Sequence, residues 1–225
     1  MALLCIFLSF ILGMSAAVPQ DLSGKMLVFP QETSSAHVRL TTSRQNLGAV
    51  TVCQRSVFSE LTRDFSLFSL ATPSAANDFL IFKKAPSGDI SAYVRDLSST
   101  FKGQDYQLNR WQSLCVTWDA ASGLVQLWLD GKPSIMKYFS TSNISGPMII
   151  VLGQEQDTYG GGFDIKQSFV GMMTDVHVWD YVLSPHHLDN YSQRFNFPEG
   201  NILNWRSIEF SIIGRVLVQN EQHPN

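Results

Sequence analysis

Between Leu152 and Gly171 the chain reads LGQEQDTYGGGFDIKQSFVG. Glu155, Asp157 and Asp164 fall within ten residues, Gln154, Gln156 and Gln167 stand among and after them, and Gly160–Gly162 interrupt the run. In a chain with only 16% charged residues, that concentration asks for a chemical reason. Carboxylates, amide carbonyls and backbone carbonyls are the hard oxygen donors that calcium takes, about six to eight at a time. Carboxylates gathered without a cation repel one another, so such a loop is expected to be poorly ordered when empty. Glycine reaches positive φ without steric penalty, which lets a tight turn bring the Gln156 carbonyl inward. Residue types alone leave two readings open. One is a solvated acidic turn; the other is a hard-cation site drawing on Glu155, Asp157, Asp164, Gln167 and the Gln156 carbonyl.

Catalytic chemistry finds less support. A retaining glycosidase needs two carboxyl groups about 5–5.5 Å apart, one of them of raised pKa. Glu155 and Asp157 are suitably spaced, but Tyr159 and Gly160 follow where a further carboxylate is wanted. His37 and His177 sit in strand-like segments, His186 and His187 open a helix-like one, and His223 lies in the tail. None has zinc-type spacing to a cysteine or to another histidine. A nucleophile elbow and a phosphate-cradling loop are both missing from the sequence. The chain reads as a binding protein and not as an enzyme, with a jelly-roll glycoside hydrolase or a ligand-free structural protein as the alternatives.

The elements that must hold this loop are mostly of period two. LVQLWLDGKP puts Val125, Leu127 and Leu129 on one face and then turns at Asp130-Gly131, a strong hairpin signal. SLCVTW sends Leu114, Val116 and Trp118 to one side and Cys115 and Thr117 to the other. MTDVHVWD sets Thr174, Val176 and Val178 against Asp175, His177 and Trp179. Further strands are expected at 26–29, 37–42, 50–58, 65–71, 79–83, 90–95, 148–152 and 208–218. Turn residues at fairly regular intervals make this an all-β chain, a two-sheet antiparallel jelly-roll sandwich. One short α-helix is expected after Ser184-Pro185, an N-cap followed by proline at the first helical position. Leu188, Tyr191 and Phe195 would lay it on the sandwich.

ALLCIFLSFIL (Ala2 to Leu12), followed by Ser15, Ala16 and Ala17, reads as a secretory signal peptide over residues 1–17, too short to span a bilayer. The expectation is a secreted, extracellular protein with one domain over residues 18–225 and no transmembrane segment. A net charge of −3 argues against nucleic-acid binding, which calls for a basic stripe. With Cys5 in the signal, Cys53 and Cys115 remain. In an oxidising compartment they read as one disulfide, the alternative being two buried free thiols. Asn143-Ile144-Ser145 and Asn190-Tyr191-Ser192 are weak glycosylation sequons.

The chain resembles the pentraxin family across essentially all of this mature segment. The resemblance rests on KMLVFP, VTVC, SLCVTWDAASGLVQLWLDGKP, IIVLGQEQDTYGGGFDIKQSFVG, VWDYVLSP and NILNWRS. It implies a paired calcium site, two Ca2+ ions per subunit, on one face of a flattened jelly roll. The first ion would be held by Asn77, Glu155, Gln156 and Asp157, the second by Glu155, Asp157, Asp164 and Gln167. It also implies recognition of phosphocholine, phosphoethanolamine or anionic carbohydrate, with Phe82 and Tyr93 as an apolar wall beside the ions. Assembly into a homopentamer and hand-over to complement and phagocyte receptors, in an acute-phase type of innate immunity, complete the implied picture. Three departures stand out. The family signature appears as Ser113-Leu114-Cys115-Val116-Thr117-Trp118-Asp119-Ala120, with its first and last positions changed. The first calcium segment, Asp-Asn-Glu in the family, is here Ala76-Asn77-Asp78, so one carboxylate is replaced by a methyl group. The acidic side chain that meets choline's cation has no aligned counterpart, although Asp96 lies in that neighbourhood.

Overall fold

The computed structural model describes residues 18–222. Residues 1–17, where a signal peptide is expected and Cys5 falls, and His223 lie outside the described residues. Alternating apolar residues build two large antiparallel sheets, with Asn46–Leu47 and Ile144–Ser145 forming a small two-stranded one. The first runs, in spatial order, Lys132–Pro133, Leu124–Leu129, Gln112–Asp119, Ala49–Phe58, Gly171–Trp179, Lys25–Phe29 and Leu217–Asn220, with Lys137–Tyr138 also pairing to Leu124–Leu129. The second runs Phe210–Ile213, His37–Leu40, Ile149–Leu152, Phe65–Thr72, Ala75–Lys83, Ile90–Val94 and Leu97–Phe101. Their facing sides share one core, in which Leu114, Val116, Trp118, Val176 and Val178 of the first meet Phe68, Phe79, Ile81 and Val94 of the second. The result is a jelly-roll sandwich.

Period two predicts which residues leave that core. Cys115 and Trp179 point away from it, into a second cluster with Cys53, Trp128, Leu183, Leu188 and Tyr191. That cluster lies under the helix Pro185–Ser192, which is capped by Ser184 accepting from the His187 amide. Cys53 and Cys115 are direct register partners on neighbouring strands and form the disulfide, with Cα atoms 4.1 Å apart. The Asp130-Gly131 hairpin is present, both residues at positive φ (48° and 75°), as its Leu129↔Lys132 pairing requires.

Two expectations are corrected. The helix ends at Ser192, so Phe195 falls beyond it and stands exposed, while Phe197 closes the cluster instead. The segment 208–218 is not one strand but two, each on the edge of a different sheet. Between them Gly214 adopts φ +71°, and a Cβ there would meet Ala36 at 2.9 Å. The strand Leu97–Phe101 was not anticipated. Of the two sequons, Asn143 is exposed, whereas Asn190 is half-buried in the helix and its amide donates to the Asn196 carbonyl at 2.8 Å.

Candidate metal centre

The acidic loop leaves the strand Ile149–Leu152 and lies on the outer face of the second sheet. Gln156 anchors it: its amide nitrogen donates to Ser69 Oγ and to the Ser69 and Ile149 carbonyls at 3.1–3.2 Å, and its Oε1 accepts from the Gly160 amide at 3.0 Å. The glycines then make a tight hairpin closed by paired backbone bonds between Thr158 and Gly161. Gly160 and Gly162 take φ +84° and +76°, and a Cβ on Gly162 would meet Asp157 Cβ at 2.8 Å. Asp164 caps the short 3-10 turn Ile165–Gln167 by accepting from the Lys166 amide at 2.9 Å. Arg63 holds the far end, donating to the Ser168 carbonyl at 3.2 Å while paired to Glu60 and Glu32.

The expected donors fall into two groups. Asp157 and Asp164 are exposed. Glu155 is only 6% exposed, and no hydrogen bond reaches its carboxyl among the described residues. Burial, and next the Asp157 charge, push its pKa up to about 7, with Lys84 opposing and Asp164 adding. The neutral donors carry the more telling feature. Asn77 Oδ1 and Gln167 Oε1 are both buried with no hydrogen-bond partner. An orphaned buried oxygen leaves a desolvation penalty of about 1–3 kcal/mol uncompensated. Among the described residues no three His, Cys, Asp or Glu side chains close into one metal cluster. A cation here therefore needs the amide and carbonyl oxygens as well as the carboxylates, and that mixed hard-oxygen set is one calcium accepts. The two orphaned amide oxygens are of the donor type such an ion takes, whereas Glu155, Asp157 and Asp164 do not close into one cluster.

Asn77 is held by a turn that the sequence reading missed. Where the strand Ala75–Lys83 begins, its register slips between the pairs Leu70↔Phe79 and Thr72↔Ala75. The neighbouring hairpin turns at Arg95 and Asp96, both at positive φ (54° and 61°). Their amides donate to the Asp78 and Asn77 carbonyls, and Asp96 Oδ1 accepts from the Asn77 amide at 3.0 Å. Arg95 also pairs with Asp78 at 2.8 Å, and Thr72 donates to the same carboxylate. Asp78 is thus fully buried and committed away from the loop. The two non-glycine residues of this turn, the dipeptide Arg95-Asp96 between two strand patterns, were the available signal.

Phe82 and Tyr93 share the outer face of the same sheet, since Leu80 pairs with Tyr93 and Phe82 with Ser91 while Phe79, Ile81, Ala92 and Val94 enter the core. Tyr93 is half-buried. Phe82 is 2% exposed, and the Lys84 ammonium lies 4.5 Å from the centroid of its ring. Lys84 also reaches Asp64 at 3.6 Å. Sequence reasoning overlooked Lys84, although a lysine two residues after an outward aromatic on a strand shares its face.

A family model described as the Pentaxin family matches residues 25–220. The chain is 40% identical over 218 residues to a C-reactive protein of Xenopus laevis, covering 93% of this chain and 89% of that one. It is 39% identical over 201 residues to the serum amyloid P-component of Mus musculus, covering 88% of each. Among solved structures, the native heptameric SAP-like pentraxin from Limulus polyphemus superposes with a TM-score of 0.80 at 25% identity, over 88% of this chain and 95% of that one.

Proposed function

Because the chain belongs to the pentraxin family, we propose that it is a secreted, calcium-dependent recognition protein whose acidic loop binds phosphate- or carboxylate-bearing targets. Asn77, Glu155, Asp157 and the Gln156 carbonyl would hold one Ca2+ ion, and Glu155, Asp157, Asp164 and Gln167 the other. When bound, such ions supply positive charge and open coordination positions to anionic oxygens of a ligand. The protein's part is to hold the donors: Ser69 and Gly160 fix Gln156, and Asp96 fixes Asn77. The targets in view are phosphocholine, phosphoethanolamine and anionic carbohydrate. A cyclic homo-oligomer, a pentamer in the family's usual form, would present several such faces at once to complement and phagocyte receptors. The observation that carries this reading is the pair of orphaned oxygens, Asn77 Oδ1 and Gln167 Oε1, taken with the buried carboxyl of Glu155.

A raised carboxyl beside Asp157 also suits the general acid of a glycosidase. That reading leaves the two orphaned amide oxygens without a partner, whereas a hard cation takes carboxylate and amide oxygens alike. Calorimetric calcium titration, paired with limited proteolysis of the loop with and without chelator, tests the proposal. Heat of binding and calcium-dependent protection between Glu155 and Gln167 are expected. No binding heat and identical cleavage in both conditions overturn it.

A further inference from the structure

The two sequons fold into opposite surroundings. An oligosaccharide is joined through the asparagine Nδ2, which gives up one N–H, and its bulk needs open solvent around that atom. In Asn190-Tyr191-Ser192 the nitrogen is already engaged inside the fold. It donates to the Asn196 carbonyl at 2.8 Å and lies 3.4 Å from His186 Nε2. Tyr191 is fully buried, its hydroxyl donating to the Asp175 carbonyl, and Ser192 Oγ donates to the Asp189 carbonyl. The whole tripeptide lies within the helix Pro185–Ser192, where residues two apart do not share a face.

Asn143-Ile144-Ser145 is extended instead. Ile144 and Ser145 form one strand of the small sheet, paired with Asn46–Leu47. Alternation turns Ile144 inward, where it is fully buried, and leaves Asn143 and Ser145 on the exposed side. Both reach the same atom: Asn46 Oδ1 accepts from Ser145 Oγ at 3.0 Å and from Asn143 Nδ2 at 3.4 Å. The second contact is long, and it uses one of the two hydrogens that a carboxamide nitrogen carries. Among the described residues no hydrogen bond takes the other. Thr141 and Ser142, which lead into the acceptor, are exposed as well. A buried isoleucine thus pins the tripeptide while its two polar side chains face solvent together.

We propose that Asn143 carries an N-linked oligosaccharide and that Asn190 carries none. This rests on the secretory reading above, because sequons are used in that compartment. In the transfer a bond forms between Asn143 Nδ2 and the anomeric carbon of the first N-acetylglucosamine. The bond from that carbon to the diphosphate of a lipid-linked oligosaccharide donor breaks, and the lipid diphosphate leaves with the electron pair. The proton displaced from Nδ2 passes to a base of the transferring enzyme, and nothing is oxidised or reduced. At Asn143 the folded chain keeps the product at the cost of one long contact at most. At Asn190 the sugar would have to enter a half-buried position and compete with the bond to Asn196.

The test expresses the full chain, residues 1–17 included, in animal cells and digests the protein from the medium with peptide N-glycosidase. The unaltered protein and Asn190→Gln are each expected to lose the mass of one glycan on digestion. Asn143→Gln and Ser145→Ala should show no loss, and Ser145→Thr, which keeps the hydroxyl, should restore it. The glycosidase leaves an acid where the sugar was attached, so mass spectrometry of the unaltered protein reads the acceptor directly, without relying on how any variant folds. Secreted protein that carries no glycan, a glycan that survives Asn143→Gln, or an acceptor mark on Asn190 overturns the proposal. A chain that stays unmodified inside the cells overturns the secretory reading and the proposal with it, whereas secretion without a glycan overturns the proposal alone.

Discussion

The two sheets are covered on their outer faces in opposite ways. Over the first lies the helix Pro185–Ser192, sealing a cluster of Trp179, Tyr191, Leu188, Trp128 and the Cys53–Cys115 disulfide. Over the second lies the acidic loop. Each cover buries one titratable group and pushes it toward its neutral form. His177, stacked on Trp179 and edged by Tyr191 and Phe197, is driven by burial, helped by the Arg206 charge, down to about 4. Glu155 is driven up to about 7. The neutral imidazole sits among rings and accepts from the Gly200 amide at 3.3 Å through Nδ1, while its Nε2 has no hydrogen-bond partner. On the other face the buried Glu155 carboxyl accepts no hydrogen bond, and Asn77 Oδ1 and Gln167 Oε1 accept none either. The same desolvation leaves a neutral imidazole under one cover and a proton-holding carboxyl under the other.

The largest test breaks the sealed face. Trp179→Ala removes a fully buried ring from the helix cluster and should destabilise the protein by about 3–5 kcal/mol, as such truncations do. Denaturant unfolding measures it. Calcium affinity of the remaining folded protein should not change, and if it falls in step with stability, the two faces are not independent.

The second test reads the two buried groups against each other in calcium-free protein. His177 has a folded pKa below its unfolded value of about 6.5, so the unfolded state binds more protons and its stability contribution disappears as pH falls from about 6.5 to about 4. Glu155 has a folded pKa above its unfolded value, so its contribution is present below about 4.5 and disappears as pH rises to about 7. Each is worth on the order of 3 kcal/mol, and over this window the signs oppose. The unaltered protein should therefore show a shallow pH profile. Glu155→Gln should lose stability on acidification, and His177→Gln should gain it. Urea unfolding between pH 4.5 and 7.5 decides, and equal slopes in the two variants would erase the contrast between the faces.

Smaller effects sharpen the open face. Asp96→Gly should weaken calcium binding by about tenfold, roughly 1.4 kcal/mol, by freeing the Asn77 amide, while Asp96→Asn keeps an acceptor and should stay within about threefold. Asp78→Ala, by contrast, should cost a few kcal/mol of stability by stranding Arg95, with little change in calcium affinity. Smallest of all, Ala76→Asp should tighten calcium binding several-fold, since affinity follows ligand charge; calorimetry on each variant reads the order.

Much of the frame was legible beforehand, and for local reasons. Alternation in SLCVTW and MTDVHVWD assigns faces because successive strand residues must point to opposite sides. Ser184-Pro185 marks a helix start through its own backbone chemistry. Phe195 was misassigned because helical spacing predicts a face but not where the helix stops. The segment 208–218 was misread because Gly214 turns the chain from one sheet edge to the other, which no period within the segment records.

The acidic loop shows the same division. Its donors, its glycines and its carboxylate spacing are properties of adjacent residues, so the sequence by itself determined that this stretch holds hard oxygen ligands. Tertiary structure alone decided which of them are starved of partners. The Asn77 backbone is fixed because Asp96, nineteen residues away, accepts its amide. Lys84, one residue past the end of its strand, lies across the Phe82 ring. Burial, and with it the pKa of Glu155 and the orphaning of Gln167, depends on what a distant segment lays over a side chain. That is a property of packing, and residue type and spacing along the chain do not contain it.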